Sequence, residues 1–175
     1  MRVCCRRKTT ALALIYVNEV KLLNEREISY ENKVREILNN YIIPHLPEIQ
    51  VLESKVVADI IICRNGDVPK LFFLEIKHYS YSNNRIGFGS KGKVTFQPEI
   101  LSKRPEYFDG NMRWVFFRQG DSGYYVLTND DCCKYVMGQG IDINKQNNFK
   151  DRLYQEIAPL TEDDFKTWLL AWLKS

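Results

Sequence analysis

The sequence has no long apolar run. None of its hydrophobic stretches approaches the ~18–20 residues that a membrane-spanning helix needs, so we expect no membrane partner. Only two of the 175 residues are histidines, and neither stands at a zinc-ligand spacing. The five cysteines include two adjacent pairs and form no C-x-x-C motif. We therefore expect no disulfide framework. We expect an intracellular (cytoplasmic) location.

The composition is that of one folded domain. Hydrophobic residues make up 45% of the chain, charged residues 27% and aromatic residues 13%, which argues against intrinsic disorder. The net charge of +3 is mild. We therefore expect a single domain over 1–175, with its core over about 27–128 and a C-terminal helix over 161–174.

Hydrophobic periodicity predicts an α/β fold, close to the α+β boundary, with a mixed β-sheet flanked by helices. The predicted helices cover 11–23, 29–41, 98–107, 129–137 and 161–174. The predicted strands cover 49–53, 56–63, 70–77, 112–118 and 124–128, and the second and third of them form a hairpin. Residues 78–95 and 138–150 are predicted to be loops. The C-terminal helix carries an apolar stripe of Phe165, Trp168, Leu169, Trp172 and Leu173, which is either core or interface.

Charged side chains stand inside the two apolar runs of the hairpin. Asp59 lies among Val, Ala and Ile, and Glu75 and Lys77 end the run Leu-Phe-Phe-Leu-Glu-Ile-Lys. Because strand side chains alternate, Glu75 and Lys77 share one face, and Asp59 can lie across from Glu75. Burying these charges costs roughly several kcal/mol per ion unless an opposite charge compensates them. A salt bridge from Lys77 or a divalent cation between the carboxylates would compensate them, and the residues alone leave both open.

The spacing of these residues resembles a known family. Asp59, followed after fifteen residues by Glu75-Ile76-Lys77, is similar to the motif of the PD-(D/E)xK nuclease superfamily, which has the restriction-endonuclease-like fold. That family places the Asp on one strand and the E-x-K on the next. Ala58 replaces the Pro that names the motif. The resemblance covers the N-terminal two-thirds of the chain.

The resemblance implies a metal-dependent nuclease. Asp59, Glu75 and the backbone carbonyl of Ile76 would hold Mg²⁺, with Mn²⁺ able to substitute, and Lys77 would orient a water or stabilise charge. Members often carry a glutamate on the preceding helix, which implies a catalytic role for Glu31. Glu31 is also a first-turn acid that the helix dipole favours on its own.

The segment after the hairpin is glycine-rich and basic. Gly87-Phe88-Gly89-Ser90-Lys91-Gly92-Lys93 satisfies most of a P-loop pattern, but no strand precedes it, so no nucleotide cofactor is expected. The cations expected to contact phosphates are Arg85, Lys91, Lys93, Lys103 and Arg104. A solvated flexible loop is the alternative. Gln97 is a weaker site candidate, because some branches of the superfamily support the site with a Gln here.

These observations predict an endodeoxyribonuclease that acts on DNA, most closely of the restriction type and as a homodimer. One alternative is a structure-specific nuclease such as a Holliday-junction resolvase. A second alternative is a non-catalytic nucleic-acid-binding or assembly protein that retains the fold.

Overall fold

The computed structural model describes residues 29–52, 58–79, 106–136 and 152–175. The first described element, helix α1, covers 29–37 and continues through a π-helical turn, Leu38–Ile42, and a last turn, Ile43–His45. The helix was expected to end at Tyr41, and it extends one turn further because Pro44 is tolerated in the first turn after the π-helical segment.

The π-helical turn keeps the apolar face of α1 in line. Val34, Leu38, Ile42 and Leu46 recur every four residues and are all buried. In a regular helix, four residues advance by roughly 400°, so each repeat would drift by roughly 40°. The amide of Ile43 instead donates to the carbonyl of Leu38, five residues back, and this wider turn offsets the drift.

Five strands form one mixed sheet, in the order β1-β2-β3-β4-β5. The strands are β1 Ile49–Leu52, β2 Ile60–Arg64, β3 Lys70–Tyr79, β4 Met112–Arg118 and β5 Tyr125–Leu127. β3 and β4 are parallel, and the other neighbouring pairs are antiparallel. The described helices that follow β3 are α2 Glu106–Asn111, α3 Asn129–Val136, α4 at 152–156 and α5 Glu162–Lys174.

Helices cover both faces of the sheet. On the first face, α1 and α5 pack against even-numbered residues of β3, such as Leu74 and Ile76. On the second face, Cys132 and Tyr135 of α3 and Leu153 of α4 pack with Phe73. Glu75 and Lys77 follow Phe73 at steps of two, so they point to this second face. The α/β prediction with a mixed sheet is confirmed.

Several predicted boundaries are wrong. Of the strand predicted over 56–63, positions 56 and 57 lie outside the described residues, and β2 begins at Ile60 because Asp59 lies in a bend before it. β3 continues through Tyr79, because it pairs with β4 as far as Arg118. The short α2 ends at Asn111, and the helix at 152–156 was not predicted. The predicted helix over 11–23 and the loop over 138–150 lie outside the described residues.

The C-terminal stripe is core. Phe165, Leu169 and Leu173 are fully buried, and Trp172 is 7% exposed. Helix α5 begins after Thr161, whose side chain accepts a hydrogen bond from the amide of Asp164, as the sequence predicts. The ring of Phe165 stacks on Tyr124 with centroids 4.3 Å apart. This helix therefore fixes the first face of the sheet from the side opposite to Glu75 and Lys77.

Candidate active site

The hairpin register brings the two predicted acids together. Ile60 pairs with Leu74, so Asp59, one residue earlier, lies across from Glu75. Asp59 is half-buried in the bend before β2. Its Oδ2 accepts a hydrogen bond from the backbone N–H of Ile76, 2.7 Å away. The carboxylate of Asp59 is therefore fixed against the strand that carries Glu75.

Lys77 contacts the second acid directly. Its Nζ lies 2.6 Å from Oε1 of Glu75, and the two residues are 6% and 1% exposed. Charge-assisted bonds of this kind are among the strong ones in proteins. The structure thus contains the ion pair that the sequence allowed, with Asp59 beside it.

The pKa of Glu75 reflects the burial of this side chain and the charges beside it. This pKa is raised from 4.5 to about 7: burial raises it most, Lys77 lowers it, and the neighbouring charge of Asp59 raises it. A raised pKa means that the folded protein disfavours the Glu75 carboxylate despite the lysine. Removal of the carboxylate from water is the main cause of this shift, and the charge of Asp59 adds to it.

The second face of the sheet closes over Glu75 and Lys77. Trp114 is the β4 partner of Glu75 and donates from its indole Nε1 to Oδ1 of Asn129, 2.7 Å away. The Asn129 amide in turn donates to the carbonyl of Phe108 and to Oδ1 of Asp109, each at 3.1 Å. This network attaches the start of α3 to α2. Burial raises the pKa of the Cys132 thiol, which suits a core residue and not a nucleophile.

In the described part of the chain, neither Glu31 nor His78 forms a metal-holding group with the two hairpin acids. Glu31 is half-buried on α1, one turn before Arg35 and on the same stripe of the helix. The ring of His78 stacks on Tyr30 at 4.7 Å on the first face, so it points away from Lys77, as alternation predicts. Within the described residues, no three acidic, His or Cys side chains form a group that could hold a metal ion, so Glu31 does not complete a triad with Asp59 and Glu75.

The donors at the hairpin suit Mg²⁺ in kind. Mg²⁺ usually retains several waters and binds proteins through one or two carboxylates, and Asp59 with Glu75 supplies two. The Ile76 carbonyl belongs to the same strand segment. A cation beside Glu75 would also stabilise the carboxylate form, which burial disfavours.

The predicted phosphate contacts and Gln97 cannot be placed. Arg85, Lys91, Lys93, Lys103 and Arg104, like Gln97, lie outside the described residues. They stay sequence predictions.

Sequence reasoning missed Arg35. Its Nη2 donates to the backbone carbonyl of Asp59 at 2.8 Å, across 24 positions of sequence. Helical spacing could have indicated this residue, because Arg35 lies four residues after Glu31 and therefore on the same face of the helix. The partner was not predictable, because it is the main-chain carbonyl of Asp59.

The raised pKa of Glu75 predicts how stability depends on pH. The folded state holds a proton on Glu75 up to about pH 7, whereas the unfolded chain releases it near 4.5. The free energy of unfolding should therefore fall as pH rises through that window, by about 3 kcal/mol from this group. Urea unfolding of wild type and Glu75→Gln at several pH values measures it. The Glu75→Gln profile should lack this decline; if the two profiles run parallel, Glu75 does not titrate in this range.

Comparison with family models, with curated proteins and with solved structures gave no match. In the part of the chain that the structure describes, no helix has the length and apolar character to cross a membrane. The description of the protein therefore rests on its own structure. It is a single α/β domain that carries two carboxylates and a lysine, Asp59, Glu75 and Lys77, on one hairpin.

Proposed function

We propose that the protein is a Mg²⁺-dependent endonuclease that hydrolyses DNA phosphodiester bonds, most closely of the restriction type. One observation carries the proposal: two carboxylates and a lysine meet on the β2–β3 hairpin, where the flanking side chains are buried and apolar. The same residues give the chain its resemblance to the PD-(D/E)xK superfamily, which places its acids on two strands of a hairpin.

Each residue has a distinct chemical task in this proposal. Asp59, Glu75 and the Ile76 carbonyl would hold the cation. When bound, Mg²⁺ lowers the pKa of a water and stabilises negative charge on the phosphoryl group. Lys77 supplies a positive charge and three N–H donors on Nζ, which can orient the water and counter the charge that develops on phosphate. Glu31 does not group with these ligands, so it would not hold the cation and would act only as an auxiliary acid from α1.

Cleavage of supercoiled plasmid with and without Mg²⁺ tests the proposal on a gel. Discrete fragments would support the restriction type, and a smear would support a non-specific or structure-specific enzyme. Cleavage should disappear in Lys77→Ala and persist in Lys70→Ala, which removes a lysine from the opposite end of the same strand. Intact plasmid under all metal and salt conditions would contradict nuclease activity.

The basic segment predicts a salt-dependent DNA affinity. If Lys91 and Lys93 neutralise phosphates, replacing both by Ala should weaken binding and flatten the log–log salt dependence by about two units. Fluorescence anisotropy of labelled DNA over a range of salt concentrations gives the slope. The double variant Lys134→Ala with Lys174→Ala carries the same change in charge and should keep the wild-type slope. An unchanged slope for the first variant would remove the segment from the interface.

A non-catalytic nucleic-acid-binding protein is the second candidate. The 2.6 Å contact between Lys77 Nζ and Glu75 Oε1 favours it, because that contact already compensates one carboxylate in a buried place. The two candidates differ in metal binding. A nuclease site binds Mn²⁺ or Mg²⁺ at millimolar concentration, whereas a structural ion pair does not.

A further inference from the structure

Asp59 is fixed in the structure from two directions. Its side chain accepts from the Ile76 amide of β3 at 2.7 Å, and its main-chain carbonyl accepts from Arg35 of α1 at 2.8 Å. The residue lies in a bend and not in the regular ladder of β2. Its backbone direction is therefore set by these contacts more than by strand pairing.

Arg35 is well placed to hold this bend. Its neighbour Val34 is fully buried and Ile37 is 6% exposed, so the helix backbone at Arg35 is anchored in the core. A hydrogen bond from a guanidinium to a carbonyl is charge-assisted and directional. It also brings a positive charge to the main chain of a residue whose side chain lies beside Glu75.

We infer that Arg35 is a positioning residue that orients Asp59 for cation binding. The consequence for cation binding and catalysis rests on the proposed function. The orientation of Asp59 by Arg35 does not. Groups that orient a metal ligand commonly change metal affinity by about 10–100-fold when they are removed. Arg35 acts through Asp59 and needs no contact with DNA or metal.

The test compares Arg35→Met with Arg35→Lys and with Lys33→Met. Lys33→Met is the matched control, because it removes one cation from the same helix, where Lys33 lies over the Tyr124 ring at 4.6 Å. Being two residues before Arg35, it lies on a different face of the helix. Hydrogen exchange by NMR follows the Ile76 amide, which reports the Asp59 carboxylate without metal or activity. The Leu74 amide of the same strand serves as the internal reference.

In Arg35→Met, the Ile76 amide should exchange about tenfold faster relative to Leu74. Mn²⁺ should bind about tenfold more weakly, and the cleavage rate at saturating metal should fall. Arg35→Lys should recover most of the protection, since an ammonium can also donate to the carbonyl. Lys33→Met should behave as wild type.

The outcomes separate the inference from the proposed function. Unchanged Ile76 exchange in a folded Arg35→Met protein would overturn the positioning role, whatever the enzyme does. Faster Ile76 exchange in a protein that neither binds Mn²⁺ nor cleaves DNA would keep the positioning of Asp59 and overturn the nuclease. Faster exchange with wild-type Mn²⁺ affinity would overturn the link between Arg35 and the metal.

Discussion

Asp59→Asn should abolish cleavage while leaving the metal-free protein at least as stable as wild type. Asparagine Oδ1 can still accept the Ile76 hydrogen bond of 2.7 Å, and the substitution removes a negative charge that raises the pKa of Glu75. Mg²⁺ at ten times its Kd should stabilise wild type by about 1.4 kcal/mol, or roughly 3–6 °C in melting temperature. The variant should show almost no such shift. Thermal melts with and without Mg²⁺ measure both effects.

Two further variants complete that experiment. Asp67→Asn removes an exposed acid from the loop of the same hairpin and should retain the Mg²⁺ response. Lys77→Ala should lose cleavage but bind metal as well as wild type or better, because it removes a cation that competes at Glu75. A purely structural ion pair predicts the reverse: Lys77→Ala would cost ~3–5 kcal/mol, with no response to Mg²⁺. Strong destabilisation by Asp59→Asn together with no Mg²⁺ shift in wild type would refute the metal site.

Phe165→Ala should lower stability by ~3–5 kcal/mol, because it empties a fully buried position that packs face to face with Tyr124. For a chain of this length, that is a fall in melting temperature of roughly 10 °C. Calorimetry or circular dichroism follows the melt. Light scattering on the same samples shows whether the oligomeric state changes.

Substitutions at other positions of α5 provide a comparison for the loss of stability in Phe165→Ala. Trp168→Ala should cost less than Phe165→Ala, since Trp168 is half-buried and stacks at the edge of the core between Phe165 and Trp172. Lys174→Ala, at the exposed end of the helix, should be nearly neutral. If Phe165→Ala instead dissociated a dimer with little loss of monomer stability, α5 would be an interface element and not core.

The sequence predicts the hairpin and its acids well, because each depends on local rules. Alternation places Glu75 and Lys77 on one face, and a five-residue turn fixes the register that sets Asp59 across from Glu75. The capping of α5 by Thr161 and the strand Met112–Arg118 follow from equally local signals.

Long-range features were not predictable in the same way. The bond from Arg35 to the Asp59 carbonyl spans two elements and ends on a main-chain atom, so no side-chain pattern encodes it. The burial of Glu75 depends on Trp114 and on α3 covering the second face. The sequence predicts that Asp59 lies inside a strand, whereas in the structure it lies in a bend. The apolar run alone does not mark the residue at which β2 stops pairing with β3.

The parallel pairing of β3 with β4 has a consequence for the order of folding. β2 and β3 are joined by a short turn, whereas paired residues of β3 and β4, such as Phe73 and Met112, are about forty residues apart. Closing the longer loop costs more chain entropy and comes later in folding. Asp59 and Glu75 should thus meet while still hydrated, and Glu75 should lose water only when β4 docks. Between pH 4.5 and about 7, Glu75 would therefore take up its proton as the sheet closes.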